Sequence, residues 1–242
     1  EGLLFYPFDR SKQAYFFSNN PSENTITEFD LSPNEPLTQR EYETSVYLAC
    51  AGMETGDLEK VVLARNEIIQ GQFDPEESFQ KAVKKYPHSF GYYVNIGPEV
   101  WVGASPELLL HYADGVVYTV ALAGTKSLSE EFTDKEREEQ KMVAQFIEEK
   151  LAKIGLSNFT KSEVQEASFG DIKHLKTAYT AQADKLQALE LLKHLQPTSA
   201  VCGLPRDKSF GFIQEFETMN RSFYSGITGV LRKNTATFFV NL

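Results

Sequence analysis

The chain has 242 residues, 41% of them hydrophobic and 24% charged, a composition that supports a buried core and excludes a disordered or fibrous protein. Its 24 basic and 34 acidic residues give a net charge of -10, which argues against nucleic acid as a partner. The two cysteines, the lack of an apolar run of membrane-spanning length and a start without basic residues predict a cytoplasmic protein with no membrane partner.

Short strands are predicted in the first 37 residues, where apolar runs alternate with Asp, Asn, Pro and Ser turn residues. The runs are Leu3–Phe8, Ala14–Ser18 and Thr25–Phe29. We expect residues 1–37 to form N-terminal strands that pack on a larger domain of residues 38–242.

The next segment combines two helices with one strand. Thr38 and Glu41 form a capping box for a helix that ends near residues 52–56. The apolar, β-branched run Lys60–Ile69 predicts a strand buried on both faces. Asp74 followed by Pro75 is typical of a helix start.

Strands and helices alternate in the remainder. Residues 90–122 predict three or four strands of an antiparallel meander, and Thr133 with Glu136 caps the longest helix, which runs to about Ile154. A strand at Lys161–Ala167, a helix at Ala181–His194 and a hairpin of Gly226–Arg232 with Ala236–Leu242 follow. These elements predict an α+β fold, an α/β sandwich of antiparallel sheets flanked by helices.

Lys60 and Glu107 stand out because each is a charged residue in an apolar segment. Lys60 is either exposed at a strand end or held in a site that favours the neutral amine, which could act as a general base. Glu107 follows a Ser-Pro turn and precedes three leucines. Desolvation there would raise the pKa of its carboxyl and make it a general acid; alternatively, it caps the following segment.

Glu139 lies three and four residues before Met142 and Val143, on the apolar stripe of the long helix, where a lone carboxylate is costly. A hard cation such as Mg²⁺ could neutralise it, or a salt bridge to Lys135 or to another segment. Glu136 lies one turn earlier and could join either arrangement.

Small-residue loops could present backbone N–H groups to an anion. They lie at Ala123–Thr125, Gly203–Pro205 and Tyr224–Gly226, and the candidate cations for a small acidic ligand are Lys60, Arg65, Lys126 and Arg221. The histidines have no metal-ligand spacing, and no phosphate-binding glycine motif occurs.

The chain from about Thr38 to Leu242 resembles the chorismate-utilising enzymes, because it contains a series of that family's sequence blocks in the family's order. The matching blocks are Lys60–Arg65, Gly103–Glu107, Leu122–Thr125, Lys135–Val143, His174–Thr177, Leu195–Thr198, Gly203–Pro205 and Arg221–Gly226. Within the family, the chain looks most like the isochorismate synthases of the menaquinone type. The amine-transferring members usually carry Gln where Lys60 stands, and aminodeoxychorismate synthases carry Lys where Ala123 stands.

The resemblance implies a Mg²⁺-dependent conversion of chorismate to isochorismate, which serves menaquinone or siderophore biosynthesis and needs no glutaminase subunit. Lys60 would be the base that activates water for attack at C2, Glu107 the acid that protonates the departing C4 hydroxyl, and Glu139 a Mg²⁺ ligand. The implied substrate-binding residues are Ala123, Gly124, Thr125, His174, Tyr224 and Gly226.

The end of the chain departs from the family pattern. The family continues beyond Val-Asn-Leu into an Arg that grips a substrate carboxylate, a Gly-rich loop and a helix whose Glu residues complete the Mg²⁺ site. Because this chain stops at Leu242, we expect it to be clipped there. Two alternatives remain: a salicylate synthase, and a non-catalytic protein that only binds chorismate.

Overall fold

The computed structural model describes residues 1–19, 36–97, 99–217 and 219–242. The helices in these ranges are α1 (Gln39–Glu54), α2 (Pro75–Lys85), α3 (Asp134–Lys153), α4 (Lys185–Leu195) and α5 (Arg206–Phe216). The strands are β1 (Gly2–Tyr6), β2 (Tyr15–Ser18), β3 (Lys60–Val61), β4 (Phe90–Ile96), β5 (Glu99–Ser105), β6 (Leu108–Ala113), β7 (Val116–Ser127), β8 (Phe159–Lys161), β9 (Gln165–Phe169), β10 (Ile172–Gln182), β11 (Gly203–Leu204), β12 (Ile227–Leu231) and β13 (Thr235–Val240).

A nine-stranded antiparallel sheet organises the fold. Its order is β2-β1-β12-β13-β6-β7-β10-β8, and β9 also pairs with β10. β4 pairs with β5, and β3 with β11, in two small antiparallel sheets. The predicted α+β fold of antiparallel sheets flanked by helices is confirmed.

The main core lies between the large sheet and the helices α3 and α4. Phe146 and Leu151 of α3 and Leu191 of α4 pack with Val117 and Tyr179 of the sheet. Each of these side chains is at most 2% exposed. The apolar face of α3 is therefore held against β7 and β10, and this contact fixes where the polar residues of α3 point.

Local capping signals predict three helix starts correctly. Thr38 and Glu41 form the capping box of α1, and Asp74 accepts the N–H groups of Glu76 and Glu77 at the start of α2. The Glu136 carboxylate accepts the N–H and the hydroxyl of Thr133 before α3. These bonds span at most three residues, so the sequence alone determines them.

The predicted strand Lys60–Ile69 is wrong beyond Val61. Val62 still donates its N–H to the carbonyl of Cys202, but the N–H of Ala64 donates to the Glu217 carboxylate instead of a strand. Ile68 and Ile69 are 55% and 68% exposed. The partner strand β11 has only two residues, so it cannot extend the pairing.

Two further expectations need correction, and two elements of the fold were not predicted. The segment Lys161–Ala167 contains the end of β8 and the start of β9, because the pairing with β10 is interrupted between them. The helix predicted from Ala181 begins instead at Lys185, because Ala181 is the penultimate residue of β10. β10 and α5 are two elements that the sequence pattern did not predict.

Two expectations on chain organisation stay predictions. The strand Thr25–Phe29 lies outside the described residues, and the division at residue 37 is untested. β1 and β2 form an edge of the large sheet, where β1 pairs with β12.

No helix in the described ranges has the length and apolar character needed to cross a membrane.

Candidate active site

Close backbone packing holds Lys60 in place. Its carbonyl accepts the Ser209 hydroxyl at 2.8 Å, and a Cβ on Gly203, which lies opposite Val61 in the β3–β11 pair, would lie 2.2 Å from the same carbonyl. The Lys60 side chain is only 12% exposed, and its Nζ lies 2.9 Å from Oε1 of Glu139. The exposed alternative for Lys60 is therefore wrong.

Glu139 obtains its countercharge from Lys60 rather than from Lys135. Its side chain is 35% exposed, so the carboxylate lies at the border between the interior and solvent. Glu136 does not join this pair, because its carboxylate binds Thr133 and lies 3.5 Å from Lys126. The hydrogen bonds from Thr133 hold the pKa of Glu136 well below its usual range.

Glu107 lies in the short link between β5 and β6. Its N–H donates to the Ser105 hydroxyl, and its carbonyl accepts the N–H of Val240, so both its backbone groups are held. The residue is 9% exposed. Burial raises the pKa of the carboxyl to about 7, although the charge of Lys60 and the Thr198 hydroxyl counteract part of the rise.

A bulge between β7 and β10 shapes the next part of the site. The register passes from His174 opposite Thr125 to Leu175 opposite Ala123, which leaves Gly124 as the extra residue. Gly124 has a φ of +69°, and a Cβ there would lie 2.8 Å from the Glu136 carbonyl. Both the backbone conformation and the contact with α3 therefore require glycine.

His174 lies beside this bulge, near enough to Glu139 for the charge of that carboxylate to act on its pKa. Its Nδ1 lies 3.1 Å from the Thr125 hydroxyl. Burial lowers the pKa of His174, while the Gly124 backbone and the charge of Glu139 oppose that effect. The structure thus brings together Lys60, Glu139, His174 and the bulge, with Glu107 close enough to feel the charge of Lys60.

Tyr224 and Gly226 lie in the turn before β12. Tyr224 is 38% exposed, and across the described ranges no hydrogen bond joins its side chain to Lys60, Glu107 or Glu139. The N–H of Gly226 donates to the carbonyl of Phe223, and a Cβ at Gly226 would lie 2.1 Å from the Tyr6 carbonyl. This glycine permits the close approach of β1; substrate binding by the two residues stays a prediction.

Arg221 is not available as a ligand-binding cation, contrary to the sequence-based expectation. Its side chain is 3% exposed and forms a two-point ion pair with Glu217, with 2.7 Å between Nε and Oε2. It also donates to the carbonyls of Val62 and Val201. The pair ties the segment after β3 to the loop before β11, so it supports the position of Lys60.

Sequence reasoning assigned no role to two buried polar residues, Thr198 and Gln140. Thr198 is 8% exposed, and its hydroxyl helps to lower the pKa of Glu107. Gln140 is 2% exposed and donates from Nε2 to the Ala121 carbonyl and the Thr177 hydroxyl, each at 3.1 Å. These two bonds tie α3 to β7 and β10. The sequence signal for such a role is a polar residue on the apolar stripe of the helix.

Comparison with known proteins decides the family. The model of the family described as "Chorismate binding enzyme" matches residues 8–242. The chain belongs to the chorismate-binding enzyme family. This result confirms the resemblance seen in the sequence.

Two relatives are 26% and 28% identical to the chain over their aligned residues. Isochorismate synthase MenF of Escherichia coli strain K12 is 28% identical over 212 residues, which cover 81% of this chain and 49% of the relative. Anthranilate synthase component 1 of Lactococcus lactis strain IL1403 is 26% identical over 231 residues, which cover 88% and 50%. The chain thus spans about half the length of these relatives.

A solved structure of a family member shows the same fold. The structure of MenF, the menaquinone-specific isochorismate synthase from Escherichia coli, superimposes with a TM-score of 0.80 at 22% identity. The match covers 100% of this chain and 69% of that chain. Because the relatives bear the names of two different synthases, the choice of reaction depends on the residues of the site.

Mg²⁺ is the ion that this family typically uses. Glu139 offers a carboxylate oxygen, and Mg²⁺ in proteins often takes one or two carboxylates together with water and substrate oxygens. In residues 1–19, 36–97, 99–217 and 219–242, no group of three His, Cys, Asp or Glu side chains could hold a metal ion. Mg²⁺ binding through the single carboxylate of Glu139 therefore stays a prediction.

Proposed function

We propose that this protein is an isochorismate synthase, which adds water at C2 of chorismate and removes the C4 hydroxyl. The observation that carries the proposal is the placement of Lys60 and Glu107. Lys60 is a buried amine, and Glu107 is a buried carboxyl with a pKa of about 7, close enough for the charge of Lys60 to act on it. A base and an acid in one site are what this exchange requires.

The two residues would act at different atoms of the ring. The neutral Lys60 amine would take a proton from the water that attacks C2, while the protonated Glu107 would give a proton to the hydroxyl that leaves C4. The departing group is then water, and substrate and product have the same atoms. A carboxyl with a pKa near 7 retains its proton in a large share of molecules at neutral pH, which suits a general acid.

The other predicted residues would bind and orient the substrate. The bulge of Ala123, Gly124 and Thr125 would line the ring pocket with His174 beside it, and Tyr224 and Gly226 would contact the side-chain carboxylate. Glu139 would hold Mg²⁺, which supplies positive charge for a carboxylate of the substrate when bound. This local charge would allow a protein with a net charge of -10 to bind a dianion.

Lys60 is the residue that favours isochorismate over an aminated product. The resemblance implies Gln at this position in anthranilate synthases, because ammonia rather than water is the nucleophile there. We therefore propose that no glutaminase subunit is required. We also propose that the protein acts in the cytoplasm, consistent with its two-cysteine composition.

The decisive experiment is product analysis with the purified protein, chorismate and Mg²⁺, with and without ammonium, by liquid chromatography and mass spectrometry. We expect isochorismate in both conditions. Anthranilate formed with ammonium would refute the proposal, and salicylate with pyruvate would identify a salicylate synthase instead. Chorismate binding without any product would favour a non-catalytic chorismate-binding protein.

A further inference from the structure

Glu139 is the carboxylate that forms an ion pair with Lys60. Nζ of Lys60 is buried and, across the described ranges, makes no hydrogen bond of regular geometry. The Glu139 Oε1 atom lies 2.9 Å from it. An ammonium group in this position needs a nearby negative charge, since an unpaired buried charge is costly.

The two partners differ in their access to solvent. The Lys60 side chain is 12% exposed and the Glu139 side chain 35% exposed, so a dissolved cation can reach the carboxylate while the ammonium stays inside. Glu136, one turn earlier on α3, cannot replace Glu139, because Thr133 and Lys126 already occupy its oxygens. Glu139 is therefore the carboxylate that an incoming cation and Lys60 would share.

We propose that Lys60 and a divalent cation compete for Glu139, so that binding of the cation releases the Lys60 ammonium from its ion pair. This inference rests on the proposed function only in assigning Mg²⁺ to Glu139. An oxygen that binds Mg²⁺ directly lies about 2.1 Å from the metal, which brings two positive charges together if the ammonium remains. In the cation-free protein, Glu139 thus holds the proposed base in an ion pair.

Competition has a consequence that can be measured without catalysis. By thermodynamic reciprocity, if the cation weakens the ion pair, the ion pair must weaken cation binding to the same extent. Removal of the ammonium should therefore strengthen cation binding. If Lys60 only held Glu139 in position, removal of the ammonium would weaken cation binding, because Glu139 would be less well positioned.

Mn²⁺ is a suitable probe, because electron paramagnetic resonance reports free Mn²⁺ directly. We expect Lys60→Met to tighten Mn²⁺ binding by about tenfold, the order expected when an ion pair at a half-buried carboxylate is removed. Lys60→Arg retains the charge and should bind Mn²⁺ like the wild type. Glu139→Gln should abolish binding at this site.

Lys126→Met is the matched control. It also removes one ammonium group, which lies 3.5 Å from Glu136, a carboxylate on α3 like Glu139. We expect it to change Mn²⁺ affinity by about twofold or less, because it pairs with another carboxylate. Circular dichroism would establish that each variant is folded. An equal gain for Lys126→Met would show a general charge effect and overturn the proposal.

Unchanged or weaker Mn²⁺ binding by Lys60→Met would also overturn the competition, as would the absence of any Mn²⁺ binding to these proteins. These results leave the proposed reaction intact if the wild type still makes isochorismate. Conversely, Lys60→Met could bind Mn²⁺ more tightly while the wild type makes a product other than isochorismate. That pair of results would support the competition and refute the proposed function.

Discussion

The buried carboxyl of Glu107 should make the stability of the fold depend on pH. Burial raises its pKa from 4.5 to about 7, so the folded protein retains this proton at pH values where the unfolded chain has lost it. Below about pH 4.5 both states are protonated and the group has no effect. As the pH rises towards 7 the fold loses stability, and the full cost above pH 7 is about 3 kcal/mol.

Glu107→Gln retains the shape of the protonated side chain and removes its titration. We expect the variant to be more stable than the wild type, and its advantage to grow by about 2 kcal/mol between pH 5.5 and 8.5. Urea unfolding followed by circular dichroism at several pH values measures this difference in the free energy of unfolding.

Glu149→Gln is the control, because it removes a carboxylate of α3 that is 71% exposed. A surface change of this kind should alter the free energy of unfolding by less than about 0.5 kcal/mol. If Glu107→Gln and the wild type depend on pH in parallel, Glu107 is not a buried neutral acid in the folded protein. That result would refute both the reasoning on stability and the acid role of this residue.

Further predictions concern catalysis and the packing of the site. Turnover should fall above about pH 7 as Glu107 loses its proton, and a pH profile of kcat that stays flat to pH 8.5 would contradict this. Lys60→Ala should abolish isochorismate formation while Mg²⁺-dependent chorismate binding, measured by calorimetry, remains; unchanged turnover would disprove the base assignment. Arg221→Ala should reduce the free energy of unfolding by about 3–5 kcal/mol, because it leaves Glu217 buried without its partner; a loss below about 1 kcal/mol in urea unfolding would show that the pair is not essential. Gly124→Ala should reduce it by about 1–3 kcal/mol, because of the positive φ and the contact with Glu136; an unaltered unfolding curve would argue against this backbone conformation.

Sequence patterns predict elements well where the stabilising contacts are local. The caps at Thr38, Asp74 and Thr133 are satisfied by groups within three residues, and the β12–β13 hairpin needs only a short turn between its strands. The missed strand β10 shows the limit. Its buried positions include Lys173 and Thr177, and these polar residues hide the alternation that would otherwise predict a strand.

The same distinction applies to the site. Motifs of the family in the sequence single out Lys60, Glu107 and Glu139, but they leave open which charges meet. In the folded chain Lys60 forms an ion pair with Glu139, and Arg221 forms one with Glu217. From the sequence, Arg221 and Lys60 were equally good candidates for the cation that binds an acidic ligand.

The sequence by itself therefore determined the family, the helix starts and the residues with chemical potential, since these depend on local pattern and order along the chain. Only the tertiary structure decided that Lys60 is buried against α3, that Glu107 is desolvated and that Gly124 lies beneath Glu136. The physical reason is that burial and charge pairing arise between segments distant in sequence, which meet only when the helices pack on the sheet.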